Sequence, residues 1–260
     1  MDSIIPDLEH RSLKGEVSAP EWRTRVEVAA GLRLAHKFGW NDGINNHISA
    51  RLADSLDQFI INGRGLGWHE ATASNLTKAG LDRQICGAPL FPVSRAGLNF
   101  HAAVLAALPE INCIVHVHPL EGIVISAMER GLMILDQAGC VFHDQVAYHP
   151  FDGYADDADE GRRIADELGD NFAMIMWNHG LLTVGRTVSE AFCYMRRLIE
   201  ACRLQEHLLA TGAPVRPVSD TALAKIKEQL RERRGNQPYG EPEWSMLLRV
   251  AKARDPSFEC

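Results

Sequence analysis

The chain has 260 residues, 46% apolar and 23% charged, a composition that supports a substantial buried core and does not fit a disordered polymer. Its 34 acidic and 27 basic side chains leave a net charge of −7, which argues against a general nucleic-acid binder with a basic face. No run reaches the roughly 18–20 apolar residues of a membrane-spanning helix, and the start "MDSIIPDLEHRSLKGEVSAP" lacks the basic-then-apolar pattern of a secretory leader.

A cytoplasmic protein without a membrane partner is therefore expected. The cysteines agree. Cys86, Cys113, Cys140, Cys193, Cys202 and Cys260 show no C-x-x-C spacing and sit among apolar neighbours, as buried reduced thiols do.

In chain order, residues 1–18 read as a flexible arm. A helix opens at Ser18-Ala19-Pro20, where proline suits the first turn, and runs to Gly39. The turn-rich "GWNDGINNH" leads into two short strands, "ISARLAD" and "DQFIIN". "NGRGLGWHE" holds a G-x-G-x-G, but no clear helix follows it, so it is not a dinucleotide fingerprint.

"VSRAGLNFHAAVLAALPE" is the next helix, with Ser94 as its cap. A strand over 114–118 follows, then a short helix in "EGIVISAM", strand and loop in "AGCVFHDQVAYHPFDG", and the acidic-starting helix "DDADEGRRIADELGDN". "FAMIMW" and "LLTVG" are apolar strands joined by a tight Asn178-His179-Gly180 turn. Thr187 and Glu190 form a capping box that opens a long helix through His207, and two more helices occupy the tail.

The run Ile114-Val115-His116-Val117-His118 carries the first chemical signal. Alternate strand residues share a face, so the two imidazoles project side by side while Val115 and Val117 turn toward a core. Two buried imidazoles without partners are costly, and a shared cation would satisfy both; hydrogen-bonded structural histidines are the other reading. A metal tripod needs a third ligand. His179, at the reversal between two apolar strands, is the candidate, although a turn histidine facing water fits the same residues.

"PVSRAGLNFHAAVLAALPEINCIVHVHP", the later "WNHGLLTVGRTVSEAF", and the upstream "GINNHISARL" and "FIINGRGLGWHEATASNL" occur in an order that closely resembles the class II aldolase/adducin family over about residues 22–211. The resemblance implies an α/β fold, a three-layer α/β/α sandwich around a mostly antiparallel sheet. It also implies a homotetramer with sites at subunit contacts, and a divalent metal held by His116, His118 and His179. Zinc is the expected ion, and iron, manganese or cobalt suit the same nitrogens. On this basis residues 19–212 form the family domain, and 213–260 a helical extension packed on it or on a neighbouring subunit.

The resemblance also exposes a departure. The family's sugar-phosphate aldolases carry a catalytic glutamate four residues before the histidine that aligns with His101; here that position is Gly97. The phosphate-holding positions read His47, Arg64-Gly65 and Arg95-Ala96, with Ser94 beside them as a further substrate-binding candidate, so two guanidinium groups suited to an anion enter the pocket. His101, His143, Tyr148 and His149 are the candidates for the missing proton-transfer group, and each also has a structural reading.

The resulting expectation is a metal-dependent carbon–carbon lyase, aldolase-type or decarboxylase, acting on a small oxygenated anionic substrate through a metal-stabilised enolate. The alternatives are a non-catalytic adducin-like assembly module and an iron-dependent oxygenase of an aromatic acid. Which substrate the pocket takes is not written in the pattern.

Overall fold

The structure is a computed structural model that describes residues 12–153, 158–234 and 238–260. Residues 1–11 of the expected arm, and Asp156 and Asp157 of the expected acidic helix start, lie outside the described residues. Eight strands form one sheet: β1 (His47–Leu52), β2 (Ser55–Ile61), β3 (Thr77–Gly80), β4 (Ile85–Cys86), β5 (Cys113–Val117), β6 (Val146–His149), β7 (Ala173–Met176) and β8 (Gly180–Gly185). Their order is β4-β3-β2-β1-β5-β8-β7-β6, antiparallel throughout except for the parallel pair β6 and β7.

Every residue of β1, β5 and β8 is buried. Strands with no exposed face need cover on both sides, and the helices supply it. These are α1 (Ala19–Lys37), α2 (Arg95–Ala107), α3 (Leu120–Ser126), α4 (Ala158–Leu168), α5 (Val188–Ala210), α6 (Asp220–Arg234) and α7 (Glu241–Arg254).

Alternation along β1 shows the two layers. Ile48 meets Gly31 of α1 together with Phe192 of α5 and Trp244 of α7. Ser49, the next residue, points the other way and its Oγ lies 2.6 Å from Nδ1 of His101 on α2. Helix α4 packs against α2 on that second face, where a Cβ at Gly161 would come within 2.7 Å of Ala103. This is the expected three-layer arrangement.

The caps follow from the sequence. Ser18 Oγ accepts from Glu21 N–H, Ser94 Oγ from Gly97 N–H and Thr187 Oγ1 from Glu190 N–H, each closing a free first-turn donor. The Glu190 carboxylate does not complete a reciprocal box with Thr187; it accepts from Arg186 N–H at 2.7 Å and pairs with the Arg186 guanidinium. Strands β3 and β4 have no counterpart in the sequence reading, because short edge strands leave little periodic signal.

The sequence holds five tryptophans, Trp22, Trp40, Trp68, Trp177 and Trp244, from which apolar surface in excess of one small core is expected. The structure corrects this for three of them: Trp40, Trp68 and Trp244 are buried within this chain. Trp244 and Leu247 dock α7 on α1 and α5, leaving Met246 and Val250 exposed. Among the described residues no helix is long and apolar enough to cross a membrane.

Candidate metal centre and its cavity

Strand β5 ends at Val117, and Pro119 turns the chain into α3. His116 and His118 therefore keep strand alternation to its last step and leave on the same side, facing α2, where Phe100 lies edge-on to His116 with ring centroids 5.5 Å apart. Their Nε2 atoms are 3.0 Å apart.

His179 arrives from the β7–β8 hairpin, whose turn is Trp177-Asn178-His179. Asn178 adopts φ +54°, a left-handed conformation that asparagine tolerates better than most residues. Its N–H donates to Ser126 O of α3 at 3.0 Å, and Trp177 N–H to His149 O at 2.8 Å, so the turn is held from both flanks. A glycine at such a turn is expected to ease the backbone dihedral at Gly180. Its φ is not positive; its function is close approach, since a Cβ there would fall 2.7 Å from His118 Cδ2 and 2.8 Å from Val117 O. The His179 ring thus lies 4.9 Å from that of His116 and 4.7 Å from that of His118, centroid to centroid.

One nitrogen from each of the three rings falls within 4.8 Å of the others. Nitrogens sharing one tetrahedral zinc lie about 3.3 Å apart, from Zn–N distances of about 2.0–2.1 Å. His116 Nδ1 donates to Leu181 O at 3.0 Å, which leaves Nε2 as a bare lone pair. Behind His118, Nδ1 lies 3.6 Å from the Asp42 carboxylate.

Protonation agrees with a ligand set. Burial, followed by neighbouring histidines, holds His116 well below the ordinary imidazole value and His179 at about 4. His118 is also lowered by burial, against the opposing pull of Asp42. Three neutral imidazoles with lone pairs converging on one point fit a divalent cation.

The tripod forms one wall of a cavity of about 610 Å³. Arg64 and Arg95 stand at its mouth, both exposed, and among the described residues neither guanidinium has a carboxylate partner. Arg95 begins α2 directly after the Ser94 cap, and Arg64 precedes Gly65, which turns at φ +99°. Ile44, Phe100, Phe151, Ile164 and Met176 add apolar wall.

Gly97 explains what replaced the glutamate. A Cβ there would sit 2.6 Å from His47 Nε2 and 2.7 Å from Ser94 Oγ, so the His47 ring fills the space a longer side chain would need. His47 Nε2 lies 2.9 Å from Ser94 Oγ, while its Nδ1 is buried without a partner. Burial first, then His118, His179 and Arg64, depress its pKa to about 4.

The other candidates for proton transfer do not line the cavity. His101 is fully buried beneath it, bonded to Ser49, with Nε2 unpartnered. Tyr148 stacks on Trp177 and its hydroxyl accepts from Leu132 N–H. His149 is buried between two carboxylates, 2.6 Å from Glu167 and 3.6 Å from Glu160. His143 lies 3.6 Å from the Asp144 carboxylate.

Sequence reasoning missed Asp42 and the Leu181 carbonyl. Both orient ligand histidines, and only the pairing of distant segments brings them there.

The fold and the tripod define a class II aldolase architecture. The family model for the class II aldolase and adducin N-terminal domain matches residues 26–206, and the chain belongs to that family. It is 34% identical over 258 residues to a provisionally named aldolase class 2 protein of Caulobacter vibrioides, covering 99% of this chain and 98% of that protein. Mouse alpha-adducin is 37% identical over 230 residues, which span 85% of this chain and 31% of the adducin. The crystal structure of an aldolase II superfamily protein from Pseudomonas syringae superposes with a TM-score of 0.90 at 35% identity, covering 96% of this chain and 100% of that one.

Proposed function

We propose that this protein is a divalent-metal-dependent carbon–carbon lyase for a small oxygenated anionic substrate, with decarboxylation favoured over aldol cleavage. The observation that carries this reading is the convergence of three neutral imidazoles at a cavity whose mouth holds two guanidinium groups without carboxylate partners. A divalent ion held by His116, His118 and His179, zinc being the best match to three nitrogens, supplies a Lewis acid that stabilises negative charge on a substrate oxygen.

The chain's own residues set the rest. Arg64 and Arg95 bind a carboxylate or phosphate that remains on the substrate, with the α2 N-terminus reinforcing Arg95. Phe100 and Met176 narrow the water-accessible space beside the tripod. Aldol cleavage begins by removing a hydroxyl proton, and no carboxylate stands at position 97 to take it. His47, with a pKa of about 4, is a weak base at neutral pH. Loss of carbon dioxide breaks its carbon–carbon bond without prior deprotonation and leaves the electron pair on the substrate, to be quenched by a proton. That chemistry matches the residues present.

The test is incubation of zinc-, manganese-, cobalt- and iron-loaded protein with hydroxy acids, keto acids and sugar-phosphate acids, following substrate loss, carbon dioxide and oxygen. Turnover of an anionic substrate that Arg95→Ala weakens is expected. A stoichiometrically loaded protein inert across the panel refutes the lyase, and stoichiometric oxygen uptake would indicate an oxygenase.

A second reading, a non-catalytic assembly module, draws on Gly97 and on the likeness to alpha-adducin. Protein purified without stoichiometric metal, and unchanged by His179→Ala, would support it. Under either reading we propose the homotetramer that the family resemblance implies; exposed Ile44, Phe151 and Leu120, close to the tripod in the chain or the cavity wall, offer apolar surface for a subunit contact. A clean monomer by light scattering would count against it.

A further inference from the structure

A second cavity, of about 410 Å³, shares no residue with the histidine cavity. It lies between the last turn of α1, the turn Trp68–Glu70, the end of α7 and the turn Pro256–Glu259. Its volume is in the range of small-molecule sites.

Its charge is opposite to that of the whole chain. Arg33, Lys37 and Arg254 line it with His36 and His69, against the single carboxylate of Asp255, in a protein of net charge −7. That carboxylate is already committed: it pairs with Arg33 at 2.5 Å, and its other oxygen accepts from Ser257 N–H at 2.9 Å. Among the described residues Lys37 and Arg254 have no hydrogen-bond or ion-pair partner. The His36 and His69 rings pack with centroids 5.0 Å apart; His36 Nδ1 is engaged by Asn41, whereas His69 has no hydrogen-bond partner among the described residues.

Cations at helix C-termini often serve the helix itself. Here that service is supplied by the backbone. Phe38, Trp40 and Gly39 N–H donate to Leu34, Ala35 and His36 carbonyls of α1, and Asp255 N–H to Ala251 O of α7. The rest of the lining is apolar: Leu34 and Phe258, both buried, with half-buried Ala251 and exposed Val250. A cationic rim over an apolar floor recognises an organic anion by both ends: charge-assisted hydrogen bonds to the head, and burial of the body.

We infer that this cavity is a second binding site, for a small organic anion with a compact apolar body, such as an aryl phosphate or aryl carboxylate. It is independent of the chemistry at the tripod.

The experiment is calorimetric titration of the full chain carrying Arg64→Ala and Arg95→Ala, which removes the guanidinium groups of the histidine cavity. Phenyl phosphate is the probe, with inorganic phosphate as the head alone and benzyl alcohol as the body alone. Phenyl phosphate should bind with one equivalent at least tenfold more tightly than phosphate, and benzyl alcohol should give no measurable heat. Adding Lys37→Glu and Arg254→Glu, both exposed and unpartnered, should weaken phenyl phosphate at least tenfold; Lys37→Gln with Arg254→Gln should weaken it in the same direction by less. Absence of binding, equal affinity for phosphate and phenyl phosphate, or unchanged affinity in both pairs of variants overturns the assignment. Because the titration measures no turnover, its failure leaves the lyase proposal standing, and failure of the substrate panel leaves this site standing.

Discussion

Gly97→Ala tests how the glutamate position was remodelled. The added methyl would lie 2.6 Å from His47 Nε2 and 2.7 Å from Ser94 Oγ, both too close for a carbon atom, so the His47–Ser94 hydrogen bond and the cap on Gly97 N–H must both open. Loss of an N-cap costs about 0.5–2 kcal/mol. A buried imidazole nitrogen left without its partner costs about 1–3 kcal/mol. Alanine in place of glycine in a helix returns about 1 kcal/mol. The net expectation is a destabilisation of about 2 kcal/mol, or a Tm lowered by about 4–8 °C for a domain of this size.

If the His47 ring is the obstacle, removing it must change the answer. In a His47→Ala background only the cap cost stands against the helix-propensity gain, so Gly97→Ala should be near neutral, giving a coupling energy of about 2 kcal/mol. Urea unfolding of the four proteins in the cycle measures it. Equal costs of Gly97→Ala in both backgrounds would refute the idea that His47 occupies the glutamate's space.

Other outcomes follow from the same structure. His179→Ala should lower zinc affinity further than Asp42→Asn, which removes only the carboxylate behind His118 and should cost about 10–100-fold; competition with a chromogenic chelator reads both. His47 has a folded pKa of about 4 against 6.5 for the free side chain, so the unfolded chain takes up a proton that the folded chain refuses as pH falls between those values. Stability held in full above pH 6.5 should drop toward pH 4 by up to about 3 kcal/mol from this group, and His47→Gln should flatten the unfolding free energy against pH. Cys193 is pushed up to about 12 by burial, and Cys113 and Cys202 are raised as well, so native protein treated with iodoacetamide should be labelled at exposed Cys260 before any of these three, as read by peptide mass spectrometry.

What the residues determined alone is local. Ser18, Ser94 and Thr187 announce helix starts because a capping hydroxyl serves donors only three residues away. His116 and His118 had to share a side because strand alternation is a property of the backbone. The ordered motifs were specific enough to indicate the family, and with it His179 as the third ligand.

Tertiary structure decided the rest. That Gly180 lets β8 close on His118, that Leu181 O and Asp42 aim the ligand rings, and that His47 fills the space beside Gly97 all depend on register between segments far apart in sequence. His101, Tyr148 and His149 were indistinguishable from site residues by sequence position, and only their packing set them outside the cavity. The cationic cavity between α1 and α7 left no trace in any motif, since its side chains come from four separate segments, each an ordinary solvated helix end or turn until the fold brings them together.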